Sequence, residues 1–466
     1  MRITMFMPGL TPSGLGWVVH RDFAAAVEDL GHSFEMLTTT SGPGLPHAAE
    51  GIRVLPMSTA WQKLAGPAAP LLRTRQILPA AAALAKHLRQ AGSSIDLLHI
   101  EVAYPHGAAA TLAAWASRWR GPVVVTPMGE DTLVLDDDHY GFRRHPVPNA
   151  LVKWTLRRAA CVRCISPMLE RWIAELAPAT PRRVVPLNVS ADTARAVEDT
   201  SAHRAERRLQ ARRALDAEFG TAGRPLILSF GRLHPFKGIE TLVRAMPGVV
   251  DATLLIVGPS LVVPPRGDSA THLLAVAEGL GVKDRVRWVG SVPPERALEI
   301  LAGADVVAVP SRLESLNKVC VEAASVGTPF VVTRTTGISA WVPDQGVGIV
   351  VPPEDPGALA EALARVVTRQ WQPDAHRGAA FVRQFSPRVV AAQVVGVALA
   401  YADLAVVSPI CAVMAVMGLP MLVTTRRLER GGGDDVTGRA ATAFGGLAVS
   451  CWSLWFAGVT LGLHRW

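Results

Sequence analysis

The stretch PSRLESLNKVCVEAASVGTPFVVT, residues 310–333, decides the reading of this chain. An apolar run at 305–309 leads into it and another at 329–333 leaves it. Strand, short loop, Ala-rich helix and strand are expected in that order. Glu314 and Glu322 stand eight residues apart, a little over two helical turns, so both carboxylates lean toward one side. The amides of Ser315, Leu316 and Asn317 fall at the helix mouth, where unpaired N–H groups suit an anion. Carboxylates for hydroxyls beside amides for phosphate is the combination a sugar nucleotide requires.

Upstream, Gly231-Arg232-Leu233-His234-Pro235-Phe236-Lys237-Gly238 follows an apolar run at 225–230 and precedes a helical run at 239–245. Arg232 offers a planar fork for phosphate oxygens and Lys237 a point charge. The glycines permit close backbone approach. Two cations at a strand-to-helix turn are suited to neutralising a leaving diphosphate.

Together the two motifs resemble those of the retaining glycosyltransferases of family 4 (glycosyl transferases group 1), and the resemblance spans roughly residues 1–402. It implies the GT-B fold, two Rossmann-like doubly wound parallel-sheet domains of α/β class. In that family the Arg and Lys hold the donor diphosphate, the first Glu lies against the donor sugar and the second binds the ribose. Those roles fall here to Arg232, Lys237, Glu314 and Glu322. Ser315, Leu316 and Asn317 complete the donor loop, and Arg232, Lys237 and Glu314 form the catalytic set. The resemblance implies a nucleotide diphosphate sugar as substrate, with no metal and no further cofactor.

The order of apolar runs agrees. In the first half they lie at 3–7, 33–37, 97–100, 123–126, 161–166 and 183–186; in the second, at 226–230, 253–257, 285–289, 306–309, 330–333 and 348–351. Continuous apolar strands separated by helices argue for parallel sheets covered on both faces. Two such series argue for two doubly wound domains with ligand at the carboxyl ends of the strands. The expected division is a first, acceptor-side domain at 1–190, a nucleotide-sugar domain at 191–385, a closing helix at 386–403 and an extension at 404–466. Residues 192–213, rich in Arg and Glu, read as a solvated linker and surface helix.

Other features match the family less specifically. Pro12-Ser13-Gly14-Leu15-Gly16 follows the first strand, where the family carries a Gly-rich loop near the donor diphosphate; Gly16 approaches the phosphates or merely opens a helix. Asp96-Leu97-Leu98-His99 resembles the family's D-x-x-H strand end, with His99 read as a core residue. The strand that normally ends in His-Gly ends here in Met128-Gly129, on the acceptor and sugar side of the cleft. Loss of that His weakens catalysis if its side chain acts, and costs little if its backbone does. Ser315, Leu316 and Asn317 stand where Gly, Phe and Gly are commonest, and Asn is the residue best able to replace Gly at an unusual backbone angle. Asp136-Asp137-Asp138-His139 reads as a solvated acidic loop beside the cleft, not as a metal site.

The 466 residues are 49% apolar and 18% charged, enough to bury two or three cores. The net charge of +8 suits nucleotide diphosphates or anionic lipid headgroups. No nucleic-acid module is visible and aromatics are only 6%, so nucleic acid is set aside. Five scattered cysteines read as reduced thiols, and Cys161-x-x-Cys164 as part of a buried strand, since no second ligand pair follows at zinc-site spacing. The N-terminus MRITMFMPG reads as a first strand and not as a signal peptide.

Beyond residue 403 the chain turns strongly apolar. Residues 404–425 carry no charge over 22 positions, Arg426, Arg427 and Arg430 follow, and 440–463 is a second uncharged run. Both meet the length of a membrane segment. The expectation is an enzyme held at the cytoplasmic face of a membrane by this helical extension, moving a hexosyl group from a nucleotide diphosphate sugar to a hydroxyl of a glycan or lipid-linked acceptor, with retention. Polysaccharide or lipid-linked glycan assembly is the corresponding process. Two alternatives stay open: an epimerase or hydrolase of the same fold, and a non-catalytic scaffold subunit at the membrane.

Overall fold

The structure, a computed structural model, describes residues 1–8, 15–39, 52–57, 74, 76–91, 94–138, 140–199, 201–221, 223–263 and 266–401. Its frame is two parallel sheets. The first contains β1 (Arg2–Phe6), β2 (Ser33–Thr38), β3 (Ile52–Val54), β4 (Leu97–Glu101), β5 (Val123–Thr126), β6 (Cys161–Cys164) and β7 (Arg182–Val184), in the order β3-β2-β1-β4-β5-β6-β7. A two-stranded hairpin, β10 (Val262–Val263) with β11 (Gly267–Asp268), stands apart from both sheets. The second sheet joins β8 (Leu226–Phe230), β9 (Thr253–Val257), β12 (Val286–Gly290), β13 (Val306–Val309), β14 (Phe330–Thr333) and β15 (Gly348–Val351), in the order β12-β9-β8-β13-β14-β15. Every pairing within the two sheets is parallel.

The sequence explains this pairing. β4, β9, β13 and β14 are buried along their whole length, as runs such as VVAV and FVVT require when helices cover both faces. Each such Leu, Ile or Val contributes about 1.5–3 kcal/mol through burial. β3 was not foreseen, because three residues are too few to show a period. In both sheets the strand order reverses once, between β1 and β4 and between β8 and β13. Loops leaving neighbouring strands there run to opposite faces and leave a crevice between them. The two motifs that opened the sequence reading leave β8 and β13, the pair that flanks the second crevice.

The segment read as a linker and surface helix is helical and packs one side on the second domain. Residues Ser201–Phe219 form a helix whose Ala211 and Leu215 are buried against the helix Ala297–Gly303. Arg208 adds a bond to the Ala304 carbonyl at 3.0 Å. Its apolar stripe is only a few residues wide, which hid it among the charges. Residues 387–401 are helical, and the Phe385 carbonyl before them accepts from the Val189 amide at 2.9 Å. Among the described residues no helix is long and apolar enough to cross a membrane. The apolar runs at 404–425 and 440–463 lie outside the described residues.

Close backbone packing at the crevice sets a local limit on residue size. Gly258, just past β9, has φ +142°, and a Cβ there would lie 1.9 Å from the Gly231 carbonyl oxygen. Gly279 closes the helix Ser269–Gly279 with open space around it. Gly258→Ala is expected to cost more than about 1 kcal/mol, and Gly279→Ala to stabilise by a few tenths or more. Melting temperatures measured side by side check this; equal values for the two variants contradict it.

Candidate active site

The loop after β8 begins at Gly231 and turns through a short 3-10 segment, Pro235–Lys237, to Gly238. Gly238 has φ +63°, and a Cβ on it would lie 2.0 Å from the Pro310 carbonyl oxygen, in the loop after β13. The Arg312 amide donates to the Phe236 carbonyl at 2.8 Å. The two loops are therefore stitched backbone to backbone before any side chain is considered. That contact sets Lys237 against Glu314, and their ammonium and carboxylate form a direct ion pair.

The other carboxylate oxygen of Glu314 accepts from Ser311 Oγ at 2.7 Å and from Asn317 Nδ2 at 2.9 Å. Burial pushes the Glu314 carboxyl up, but Lys237 and the donated hydrogen bonds outweigh it and hold the group below its ordinary value. Glu314 is thus a partly buried, ionised carboxylate with both oxygens oriented. Asn317 adopts φ +78°, the left-handed angle for which Asn is the least strained non-glycine choice. Its Oδ1 also accepts from the Cys320 amide at 3.3 Å, at the start of the helix Val319–Ser325. Among the described residues, the amides of Ser315, Leu316 and Asn317 donate to no backbone carbonyl. The Leu316 side chain is buried in the core.

Glu322 sits inside that helix and is buried. Burial pushes its carboxyl up, with Lys318 opposing. Both glutamates act on the Cys320 thiol, whose pKa burial drives well up. The eight-residue spacing therefore brings the two carboxylates to one neighbourhood. Arg232 makes no ion pair with a described residue and lines a cavity of about 570 Å³.

That cavity faces the first domain. Its walls include Tyr104, His106, Met128, Glu130 and Tyr140. Met128 and Gly129 follow β5, and the Met128 carbonyl accepts from Ser315 Oγ at 2.7 Å. The Met128 and Gly129 amides donate to Asp131 at 3.1 and 2.9 Å. The backbone at this position thus meets the loop after β13 directly, whatever the side chain. Gly16 is the second residue of the helix Leu15–Asp29, and its carbonyl bonds His20 Nδ1 at 2.7 Å. Residues 9–14, most of the Gly-rich loop, lie outside the described residues. His99 is fully buried and bonded to Thr126 Oγ1 at 2.7 Å, and burial pushes it down to about 3.

The acidic loop departs from its expected role. Asp136 and Asp137 are exposed, but the Asp138 side chain is wholly buried and pairs with Arg312 of the second domain. Arg312 also meets Glu354 at 2.9 Å. Tyr140 follows and stacks on Phe236 with centroids 4.3 Å apart. The loop is an interdomain clasp: Asp136 and Asp137 face water while Asp138 holds Arg312 in the loop after β13 and Tyr140 stacks on Phe236 of the GRLHPFKG segment. Sequence reading missed Arg312, Asp138, Tyr140 and His106. Only Tyr140 carried a signal, as one of three tyrosines in a chain of 466 residues.

These features define a two-domain α/β protein with a cation–carboxylate pair at the switch point of its second sheet and a cavity opening toward its first. Residues 224–369 match the family described as glycosyl transferases group 1, and residues 13–188 match the glycosyl transferase 4-like domain. The chain belongs to the group 1 glycosyl transferases of family 4. It is 35% identical over 164 residues to a D-inositol 3-phosphate glycosyltransferase of Nocardia farcinica, a match covering 34% of this chain and 36% of that protein. The chain therefore spans about a third of the length of that curated relative. Among solved structures it resembles Anabaena HepE, solved with UDP (TM-score 0.64, 19% identity, 85% of this chain and 99% of that one). It also resembles a sucrose-phosphate synthase from Thermosynechococcus elongatus (TM-score 0.63, 22% identity, 84% and 98%). At these identities the structures show a shared fold.

The clasp generates a stability test. Asp138→Ala is expected to destabilise by less than the roughly 3–5 kcal/mol of a broken buried pair, because Glu354 and Asp137 still face Arg312. In that background Arg312→Ala should cost clearly less than it does alone. Strict additivity in urea unfolding contradicts the assignment.

Proposed function

We propose that this protein transfers a hexosyl group from a nucleotide diphosphate sugar to an acceptor hydroxyl, with retention at the anomeric carbon. The observation that carries the reading is the partly buried Lys237–Glu314 pair, with Arg232, which makes no ion pair with a described residue, in the same loop as Lys237. The barrier in such a reaction is separation of an oxocarbenium-like sugar from its diphosphate. Arg232 and Lys237 stabilise charge developing on the leaving oxygen; preorganised donors of this kind contribute roughly 3–4 kcal/mol each at other sites. Glu314, ionised and held by Ser311 and Asn317, orients the sugar and favours positive charge at the anomeric carbon. Glu322 binds the ribose. The backbone amides of Ser315, Leu316 and Asn317 supply further donors to the phosphates, and Gly16 lies where the first domain approaches them. No metal or further cofactor enters this scheme, because the two cations supply the positive charge. The leaving phosphate takes the acceptor proton, and domain closure limits hydrolysis of the donor.

A uridine diphosphate sugar is the first donor to try, since the structural neighbour HepE was solved with UDP and with UDP-glucose. The acceptor lies in the cavity on the Met128–Gly129 side and belongs to a glycan or a lipid-linked glycan under assembly. The domain division at residues 190/191 and 385/386 is part of the same reading. So is membrane association at the cytoplasmic face, which the uncharged runs at 404–425 and 440–463 support through their length.

Lys237→Ala and Glu314→Ala are each expected to lower turnover by about tenfold or more, equivalent to ~1.4 kcal/mol of barrier, with the fold retained. The assay is UDP released from UDP-glucose and other UDP-sugars, with calorimetry for UDP binding. Near-normal turnover in either variant removes its role, and a wild-type protein that binds no nucleotide is a scaffold. A chain ended at Asp403 is expected to leave washed membranes; retention as firm as that of the full chain defeats the anchor.

A further inference from the structure

The first-domain wall of the cavity contains a side chain that the donor chemistry does not use. β4 ends at Glu101, and Val102 then takes φ +65°, a left-handed angle rare for a β-branched residue. Such strain clusters at functional positions. It turns the chain out of the sheet into the tight turn Ala103–Gly107, whose Gly107 amide bonds back to the Val102 carbonyl at 3.1 Å. His106 lies in this turn. It is 7% exposed, lines the cavity and packs on Phe6 with centroids 5.4 Å apart. Its Nδ1 is buried, and among the described residues neither Nδ1 nor Nε2 has a hydrogen-bond partner. Buried polar groups are nearly always satisfied, so an orphaned imidazole in a cavity wall calls for a ligand or a water. Burial pushes this imidazole down to about 4, with Glu101 opposing, so the ring is neutral at working pH.

A neutral imidazole donates from one nitrogen and accepts at the other, which matches a hydroxyl and not a phosphate. The surroundings agree. Tyr140 and Phe142 give the cavity aromatic walls, Phe142 standing 5.3 Å from Tyr104 between centroids. Glu130 is exposed at the cavity and accepts hydroxyls while repelling anions. Among the described lining residues the cation is Arg232, which belongs to the donor side. We propose that His106 is a specificity-determining residue that hydrogen-bonds a hydroxyl of an uncharged sugar unit of the acceptor, seated against Tyr140 and Phe142. This rests on the transferase reading above and narrows its acceptor. It sets the chain apart from relatives named for D-inositol 3-phosphate.

The test uses the full chain saturated with UDP. Methyl β-D-glucopyranoside, methyl α-D-mannopyranoside, methyl β-D-galactopyranoside and D-inositol 3-phosphate are titrated by saturation-transfer NMR and calorimetry. At least one methyl glycoside should bind in preference to inositol 3-phosphate. His106→Ala should weaken it by about tenfold, and His106→Gln, whose amide also donates and accepts, should recover most of the loss. UDP affinity and melting temperature should stay at wild-type values in both variants. The proposal is overturned if the wild type binds none of the glycosides, or prefers inositol 3-phosphate. It also falls if the alanine variant binds as the wild type does, or if both variants lose UDP binding or stability together with the glycoside. A wild type that binds glycosides poorly but UDP well overturns this inference alone, whereas failure to bind UDP overturns the transferase reading with it.

Discussion

Two backbone loops touch at Gly238 and Pro310, and the chemistry of the site follows from that contact. A side chain on residue 238 would collide with the Pro310 carbonyl, so the approach depends on the absence of a Cβ. It places an ammonium against a carboxylate where two strands of a parallel sheet part company. The ion pair is partly buried, and an isolated charge of either sign would be poorly solvated there. Ser311 and Asn317 complete the carboxylate's hydrogen bonds, which leaves it ionised and aimed. A group held this way reorganises little when a charged ligand arrives, and that is the property catalysis of group transfer asks of its surroundings.

The second domain supplies charge and the first supplies shape. Contacts among the described residues join them beside the site, among them Ser315 to the Met128 carbonyl, Asp138 to Arg312, and Tyr140 on Phe236. Each of these involves a residue within a few positions of Lys237 or Glu314. Separation of the two domains would therefore disturb the loop after β13 that carries Glu314.

Much of this was legible in the chain because parallel strands buried on both faces leave long apolar runs. The E-x7-E and GRLHPFKG segments were legible because their residue types combine charge with turn chemistry. What stayed hidden depends on tertiary placement. The backbone of Met128 contacts Ser315, and no feature of either residue announces it. Asp138 is chemically identical to its exposed neighbours Asp136 and Asp137, and only the fold of the loop sends it inward. His106 follows a strained turn at Val102, and dihedral strain leaves no mark in composition. The apolar runs beyond residue 403 were equally plain in the sequence, and they lie outside the described residues.

A crystal structure of the protein with a bound uridine diphosphate sugar tests the central claim most directly. The account predicts the diphosphate between Arg232 and Lys237, the ribose at Glu322 and the sugar against Glu314, with the anomeric carbon facing the cavity that holds Met128 and His106. A nucleotide seated elsewhere, with the Lys237–Glu314 pair untouched and remote from it, would contradict the account.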